Sequence, residues 1–456
     1  IDIGTNSFHL VIASVNDKGI VKVLTKDKEV VRLGKSSTDM KYISLDAMER
    51  AITALKRFKI TSDSFNAEIR AVATSATREA LNKDEFINEA NRRTGISIEV
   101  ISGYEEARLI YLGVLQALDV FDKKILLIDI GGGSTEFLTG EKGNVIFSNS
   151  IKLGAVRLTE KFFSDGKYTK ENIENARLHV RSIINPIVRS LKNEKYDVVI
   201  GTSGTITNLG SIIYCKNSTE DVSLFNFNNY KYSDAELNEA VKTILTLDNI
   251  SAIKKIEGLD SDRADIMSAG AVILEQIFKE VNIKQITLSS YALREGILFD
   301  TIDKEHNTLQ SEDMKNVRYR SVINLARHCG YDEAHCRKIL QLSLPIYDAL
   351  KDKFELTDSE LDMLEAAIYL HDIGHSISHS QHHRHSYYLI KNSELLGFNN
   401  EEIEVIANIA RYHRKSHPKA KHIEFNKLSP ANKNKVKMLA GILRISDGLD
   451  RGHNSV

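Results

Sequence analysis

A repeat constrains this chain more than any other feature. Ile1-Asp2-Ile3-Gly4-Thr5-Asn6-Ser7 recurs as Ile128-Asp129-Ile130-Gly131-Gly132-Gly133-Ser134, with the equivalent aspartates 127 positions apart. Each copy is a β-branched run ending in Asp and Gly, then a small polar turn, then a second strand-like run, Phe8–Val15 or Glu136–Leu138. A motif that occurs twice in register predicts a duplicated domain with a cleft between its halves.

The rest of the first 300 residues supports an α/β class. Apolar runs at Ile1–Ile3, Ile125–Ile130, Val198–Ile200 and Ile286–Leu288 alternate with amphipathic stretches such as Ser44–Phe58 and Thr169–Lys192. The expected domains are 1–124 and 125–305, followed by an all-helical third over 306–456, with a boundary near Asp300–Ser311. In that third part helical periodicity predicts helices at Met314–Gly330, Ala334–Ala349, Asp358–His371, Ser386–Leu395, Glu401–Arg414 and Lys433–Asp447. It also holds 13 of the 15 histidines.

Composition narrows the class. With 61 Lys+Arg against 62 Asp+Glu over 456 residues, 42% hydrophobic residues and only 4 Pro, the chain is a folded protein, not a fibrous or disordered one. The even balance gives no sign of a protein that coats nucleic acid or an anionic membrane. No apolar run approaches the ~18–20 residues of a membrane span and no signal peptide is visible, so a cytoplasmic protein is expected. Cys215, Cys329 and Cys336, with no Cys-x-x-Cys, exclude a disulfide framework and a thiolate zinc site. Ile1 has mid-strand character, so a short preceding segment is expected to be missing.

Several short motifs carry chemistry. A strand entering a Gly-rich turn presents backbone N–H groups suited to phosphate oxygens; Gly131, Gly132, Gly133 and Ser134 offer this, and Thr5, Asn6 and Ser7 add side-chain donors in the first copy. One such turn alone reads equally as a tight hairpin; two in register, each after a strand-terminal Asp, favour phosphate. Asp2 and Asp129 are expected to face each other across the cleft, with oxygen ligands suited to Mg²⁺, and Glu136 extends the set unless it is a solvated strand residue. Gly201-Thr202-Ser203-Gly204-Thr205 is a third turn of this type, or an ordinary helix start. Ser102 and Glu105 fit a capping box opening a helix to about Leu118. Spacing alone leaves Glu106 open between a solvated helix face and a carboxylate that deprotonates a water aimed at phosphorus.

Together, Ile1–Ala13, Val72–Ala80, Ile101–Val114, Leu127–Leu138, Lys152–Leu158 and Gly201–Leu209 resemble the exopolyphosphatase / guanosine pentaphosphate phosphohydrolase (Ppx/GppA) family. That family belongs to the actin, sugar-kinase and heat-shock-chaperone superfamily (ASKHA), with two ribonuclease H-like domains. The resemblance implies a phosphoanhydride hydrolase that removes terminal phosphate with Mg²⁺ and no covalent intermediate. It implies that Glu106 orients the attacking water, that Asp129 and Glu136 serve the metal, and that Arg78 and Arg157 lie near substrate, where fork-shaped Arg suits phosphate. Inorganic polyphosphate is the expected substrate. Guanosine pentaphosphate is the close alternative, and an ATP-binding kinase or switch of the same superfamily a further one.

His371-Asp372 resembles the signature of the metal-binding HD superfamily, whose ligand order implies His335 as first ligand and Asp447 as last; His385 and His413 match positions where some members hold a second metal. Imidazole with carboxylate suits Mn²⁺, Fe²⁺ or Zn²⁺. The same stretch resembles the third domain of long exopolyphosphatases through His382–Ser386, Arg411–Lys415 and Leu443–Arg451, a domain inferred to bind the polyanionic chain. His379, His382, His383 and His417 are expected on a solvated, weakly basic loop. Between Arg411 and Ala440, 9 Lys/Arg face the single acid Glu424, a local +8 that suits polyphosphate. Long relatives carry a further C-terminal region that is expected to be missing here, and a homodimer stays open.

Overall fold

The computed structural model describes residues 1–16, 21–34, 40–164, 166–192, 194–218, 221–306, 317–393 and 395–450. The contact network divides the chain into two compact units, Ile1–Lys315 and Asn316–Val456. Of the expected boundary segment, 307–311 lies outside the described residues, as do Met314–Asn316 and Arg451.

The first unit contains the duplication, as two mixed sheets flanked by helices, which is the expected fold class. Its strands are Asp2–Ile3 (β1), Ser7–Val15 (β2), Val21–Val30 (β3), Ala71–Ala73 (β4) and Ile98–Val100 (β5) in one sheet. The other holds Ile125–Ile130 (β6), Thr135–Glu141 (β7), Asn144–Ile151 (β8), Val198–Thr202 (β9), Lys231–Ser233 (β10) and Gln285–Leu288 (β11). The orders are β3-β2-β1-β4-β5 and β8-β7-β6-β9-β11, the second with β10 added at its edge. In each sheet the repeated motif is the central antiparallel hairpin, β1–β2 or β6–β7, and the next strands join in parallel after a helical crossover.

The sequence explains these elements. β6 is buried at all six positions, the reason it reads as a continuous apolar run rather than an alternating one. Helices Ser203–Asn217 and Ala264–Val281 pack on it, and Gly103–Ala117 packs against β7 and β8. The helix expected from Thr169 runs Lys170–Leu191, with the Thr169 hydroxyl accepting from the Asn172 N–H. The helix expected over Ser44–Phe58 continues to Ser64.

The second unit has helices and no strand among its described residues. They span Val317–His328, Glu333–Phe354, Asp358–Leu370, His382–Lys391, Asn400–Arg411, Ile423–Lys427 and Pro430–Leu449, around a core that includes Leu364, Ile368, Ile406 and Leu443. One expectation needs correction. The helix placed at Ser386–Leu395 starts four residues earlier, because Gln381 turns into the left-handed region (φ 58°) and opens it at His382. Among the described residues, no helix is long and apolar enough to cross a membrane.

Candidate active site

The two repeated turns have one geometry. The Gly4 N–H donates to the Ser7 carbonyl at 3.2 Å, and the Gly131 N–H to the Ser134 carbonyl at 3.0 Å. Register then separates the copies: Asp129 stands opposite Glu136, whereas Asp2 stands opposite His9. The second turn is braced by the start of helix Ala155–Phe162, where the Ala155 N–H donates to the Gly131 carbonyl and the Val156 and Arg157 N–H groups to that of Gly132. Across a trans peptide the next N–H points the opposite way, so the Gly132 and Gly133 N–H groups point away from that helix start. This close approach requires Gly154: a Cβ there would lie 2.4 Å from the Gly132 backbone.

Both turns border a cavity of about 310 Å³. Of the residues expected from sequence, it brings together Asp2, Thr5, Asn6, Ser7, Glu106, Asp129, Gly131, Gly132, Gly133, Ser134, Ser203 and Gly204. Glu136, Arg78, Arg157, Gly201, Thr202 and Thr205 are not on its lining, although Glu136 pairs with Asp129 across the hairpin. Arg78 donates to Glu106 Oε2 at 2.8 Å and to the Ile101 carbonyl at 3.0 Å. Arg157 ties the Gly133 carbonyl (2.9 Å) to Glu79 (3.0 Å). Thr202 donates its hydroxyl to Asp129, and Ser203 donates to the Ile130 carbonyl at 2.6 Å. The Gly201–Thr205 turn is therefore the end of β9 and the start of a helix, with only part of it on the cavity.

Electrostatics mark the place. Burial holds the Asp2 carboxyl up at about 7, with Glu106 adding to the rise. Burial also lifts Glu106 to about 7 against the opposing pull of Arg78, and Asp129 to about 6 against its hydrogen bond from Thr202. Glu136 is raised well above the ordinary range by burial, then by Glu106 and Asp129. Its Oε1 accepts from Ser150 at 2.8 Å, while its buried Oε2 has no hydrogen-bond partner. Carboxylates that raise one another in a buried site need a cation to ionise together. An all-oxygen donor set of this kind would suit Mg²⁺, and Asp129, Asp2 and Glu136 are the residues that would hold it.

Sequence reasoning missed part of the wall. Arg263 is buried, its Nε has no hydrogen-bond partner, and its terminal nitrogen lies 3.5 Å from Thr205 Oγ1. A lone Arg closing a 3₁₀ turn carries no motif. His9, held neutral by burial with its pKa lowered to about 3, sits inside the repeat but reads as a strand residue. Glu105 was expected in a capping box. The Ser102 hydroxyl does cap its N–H at 3.1 Å, but the Glu105 side chain pairs with Arg108.

In the second unit His335, His371, Asp372 and Asp447 come together: His335 Nε2 lies 3.4 Å from Asp447, and His371 Nε2 lies 3.5 Å from Asp372. His413 joins them; His385 is half-buried outside the ligand groups found among the described residues. The expected solvated loop needs correction. His379 and His417 are exposed, but His382 and His383 are buried in the first turn of their helix, and His382 Nε2 is 3.1 Å from Asp372.

Comparison with known proteins agrees with the geometry. The sequence model of the Ppx/GppA phosphatase family matches residues 11–305, and that of Ppx/GppA phosphatase domain III matches 317–455. An exopolyphosphatase from Cytophaga hutchinsonii has a similar structure (TM-score 0.61, 30% identity, covering 66% of this chain and 96% of that one). The Aquifex aeolicus member of the Ppx/GppA family is also similar (TM-score 0.56, 27% identity, 67% of this chain and 97% of that one).

Proposed function

The chain belongs to the Ppx/GppA phosphatase family, and from that premise we propose that it is an exopolyphosphatase, releasing terminal phosphate from inorganic polyphosphate by hydrolysis. The observation that carries the reading is Glu106: a buried carboxyl on the wall of the cavity that both turns border, held up at about 7. A base with a pKa near operating pH takes a proton and returns it with little penalty. Arg78 occupies Oε2, which leaves Oε1 for the proton of the attacking water. The oxygen of that water bonds to the terminal phosphorus, the bridging oxygen leaves with the shortened chain, and Glu106 takes the proton. Thr5, Ser7, Ser134 and the amides of the Gly-rich turn hold the phosphate oxygens, with Arg263 as a cation on the wall. Bound Mg²⁺ would neutralise the phosphate oxygens and the charge that develops on them.

The test is phosphate release from long polyphosphate, guanosine pentaphosphate and ATP in parallel, with and without Mg²⁺. The reading expects Mg²⁺-dependent release that is fastest from polyphosphate. Faster release from guanosine pentaphosphate would assign the same residues to that nucleotide, and release from none of the three would sink the hydrolase.

A further inference from the structure

Three successive carbonyls of the Gly-rich turn are anchored by one helix. Those of Gly131 and Gly132 accept backbone N–H groups from the start of Ala155–Phe162, and that of Gly133 accepts the Arg157 Nε–H at 2.9 Å. In a trans peptide the N–H lies opposite the C=O, so each anchored carbonyl aims the following amide, of Gly132, Gly133 and Ser134 in turn, to the far side. All three residues line the cavity. Consecutive amides turned to one side form a concavity that suits an anion. Backbone alone fixes the first two; a side chain fixes the third.

That side chain is itself held from the other half of the duplication. Arg157 Nη2 donates to Glu79 Oε1 at 3.0 Å, and Glu79 ends the short helix Ser75–Glu79, which follows β4 in the first half. With side-chain exposures of 13% and 11%, the pair is largely out of water, where a charge-assisted hydrogen bond holds firmly. The same Oε1 accepts from the Ser75 hydroxyl at 3.0 Å. Ser75 in turn packs on the Gly-rich turn: a Cβ on Gly133 would lie 2.7 Å from Ser75 Oγ and 2.8 Å from Thr5 Oγ1. Gly133, Arg157, Glu79 and Ser75 therefore form a closed ring that crosses between the halves.

We propose that Glu79 is a positioning residue for phosphate binding: through Arg157 it holds the Gly133 carbonyl, and so turns the Ser134 amide toward a phosphate oxygen when the two halves meet. The inference rests on the phosphate-binding role proposed above for the turn. It gives Arg157 a supporting task in place of direct contact with substrate, because two of its nitrogens already donate to Gly133 and Glu79. It also reverses an electrostatic expectation. An acid beside a polyanion site weakens binding by repulsion, so its removal should strengthen binding; here removal should weaken it, because the amide that the acid aims is lost.

The test is the affinity of the full chain for methylenebisphosphonate, whose P–C–P bridge resists hydrolysis, measured by calorimetry with Mg²⁺ present. Glu79→Ala should weaken binding about tenfold, the worth of one hydrogen bond to a charged group, although it removes a negative charge. Glu79→Gln keeps the Oε1 acceptor and should stay within about threefold of the unsubstituted chain. Arg157→Ala should weaken binding as much as Glu79→Ala does, and the double variant no more than either, because the two side chains act as one unit. Arg157→Lys keeps the charge and most of the volume but lacks the fork, and should bind as weakly as Arg157→Ala. Tighter binding by Glu79→Ala would mean that the acid restrains a phosphate-binding Arg157, and losses that multiply in the double variant would mean independent roles; either overturns the proposal alone. An unsubstituted chain that does not bind the bisphosphonate overturns the phosphate reading of the turn, and the positioning role with it.

Discussion

Glu106 shows how a single carboxyl is tuned: burial raises it, and the guanidinium of Arg78, 2.8 Å away, pulls it back to about 7. Glu106→Gln keeps the shape and the hydrogen bond but removes the proton acceptor. Turnover should fall by about 10²–10⁴-fold, while calorimetric affinity for substrate stays within a factor of about three; unchanged turnover would remove Glu106 from this role. The neighbouring acids make a second prediction. Asp2, Glu106 and Asp129 titrate at about 7, 7 and 6 in the fold, above their ordinary values. The folded metal-free chain therefore holds protons that the unfolded chain gives up, so their contribution to stability declines as pH rises from about 4 to 7. On the proposed function Mg²⁺ would bind the deprotonated acids, so its increment in melting temperature should grow between about pH 5 and pH 8. An increment that is flat or shrinks with pH contradicts these raised carboxyls. At this scale the sequence was readable where a motif repeated, as at Asp2 and Asp129. It was silent where a side chain arrives alone, as Arg263 does, and where only pairing register decides the neighbour, as with His9 in the place equivalent to Glu136.

Helix Gly103–Ala117, which carries Glu106, is positioned by its packing on helix Leu293–His306, and that packing is unusually close. A Cβ on Gly296 would stand 1.8 Å from the Leu109 carbonyl oxygen, a backbone atom with no freedom to turn aside. Gly296→Ala must separate the helices, costing about 1–3 kcal/mol and displacing Glu106 from the cavity. Both the melting temperature and kcat should fall; an unchanged kcat in a folded variant would mean that the helix position does not govern Glu106. Periodicity made the long elements legible because one face of each is buried, as in Leu45–Ser64 and Lys170–Leu191. It misplaced the helix at His382–Lys391, whose start is set by a left-handed Gln381 that no propensity announces. That shift of one turn moves His382 from an expected solvated loop into the ligand cluster.

Over the whole chain the net charge is −1, yet charge is distributed unevenly, and the stretch Arg411–Ala440 carries +8. Arg411 and Lys435 spend part of it on Glu424 and Glu360, while Lys419, Lys421 and Lys427 are exposed. A polyphosphate chain long enough to reach these lysines displaces counterions from itself as it binds, and added salt opposes that release. A nucleotide that fills only the cavity of about 310 Å³ exchanges far fewer. Phosphate release from long polyphosphate should therefore fall more steeply with log salt concentration than release from guanosine pentaphosphate. In the Lys419→Glu/Lys421→Glu/Lys427→Glu variant the long-chain slope should flatten by about two to three units, with the nucleotide slope unmoved. These lysines lie in a helical unit remote in sequence from Glu106, so the substitution separates chain holding from hydrolysis. Equal slopes for the two substrates, or a long-chain slope indifferent to the three charge reversals, would restrict substrate recognition to the cleft of the first unit.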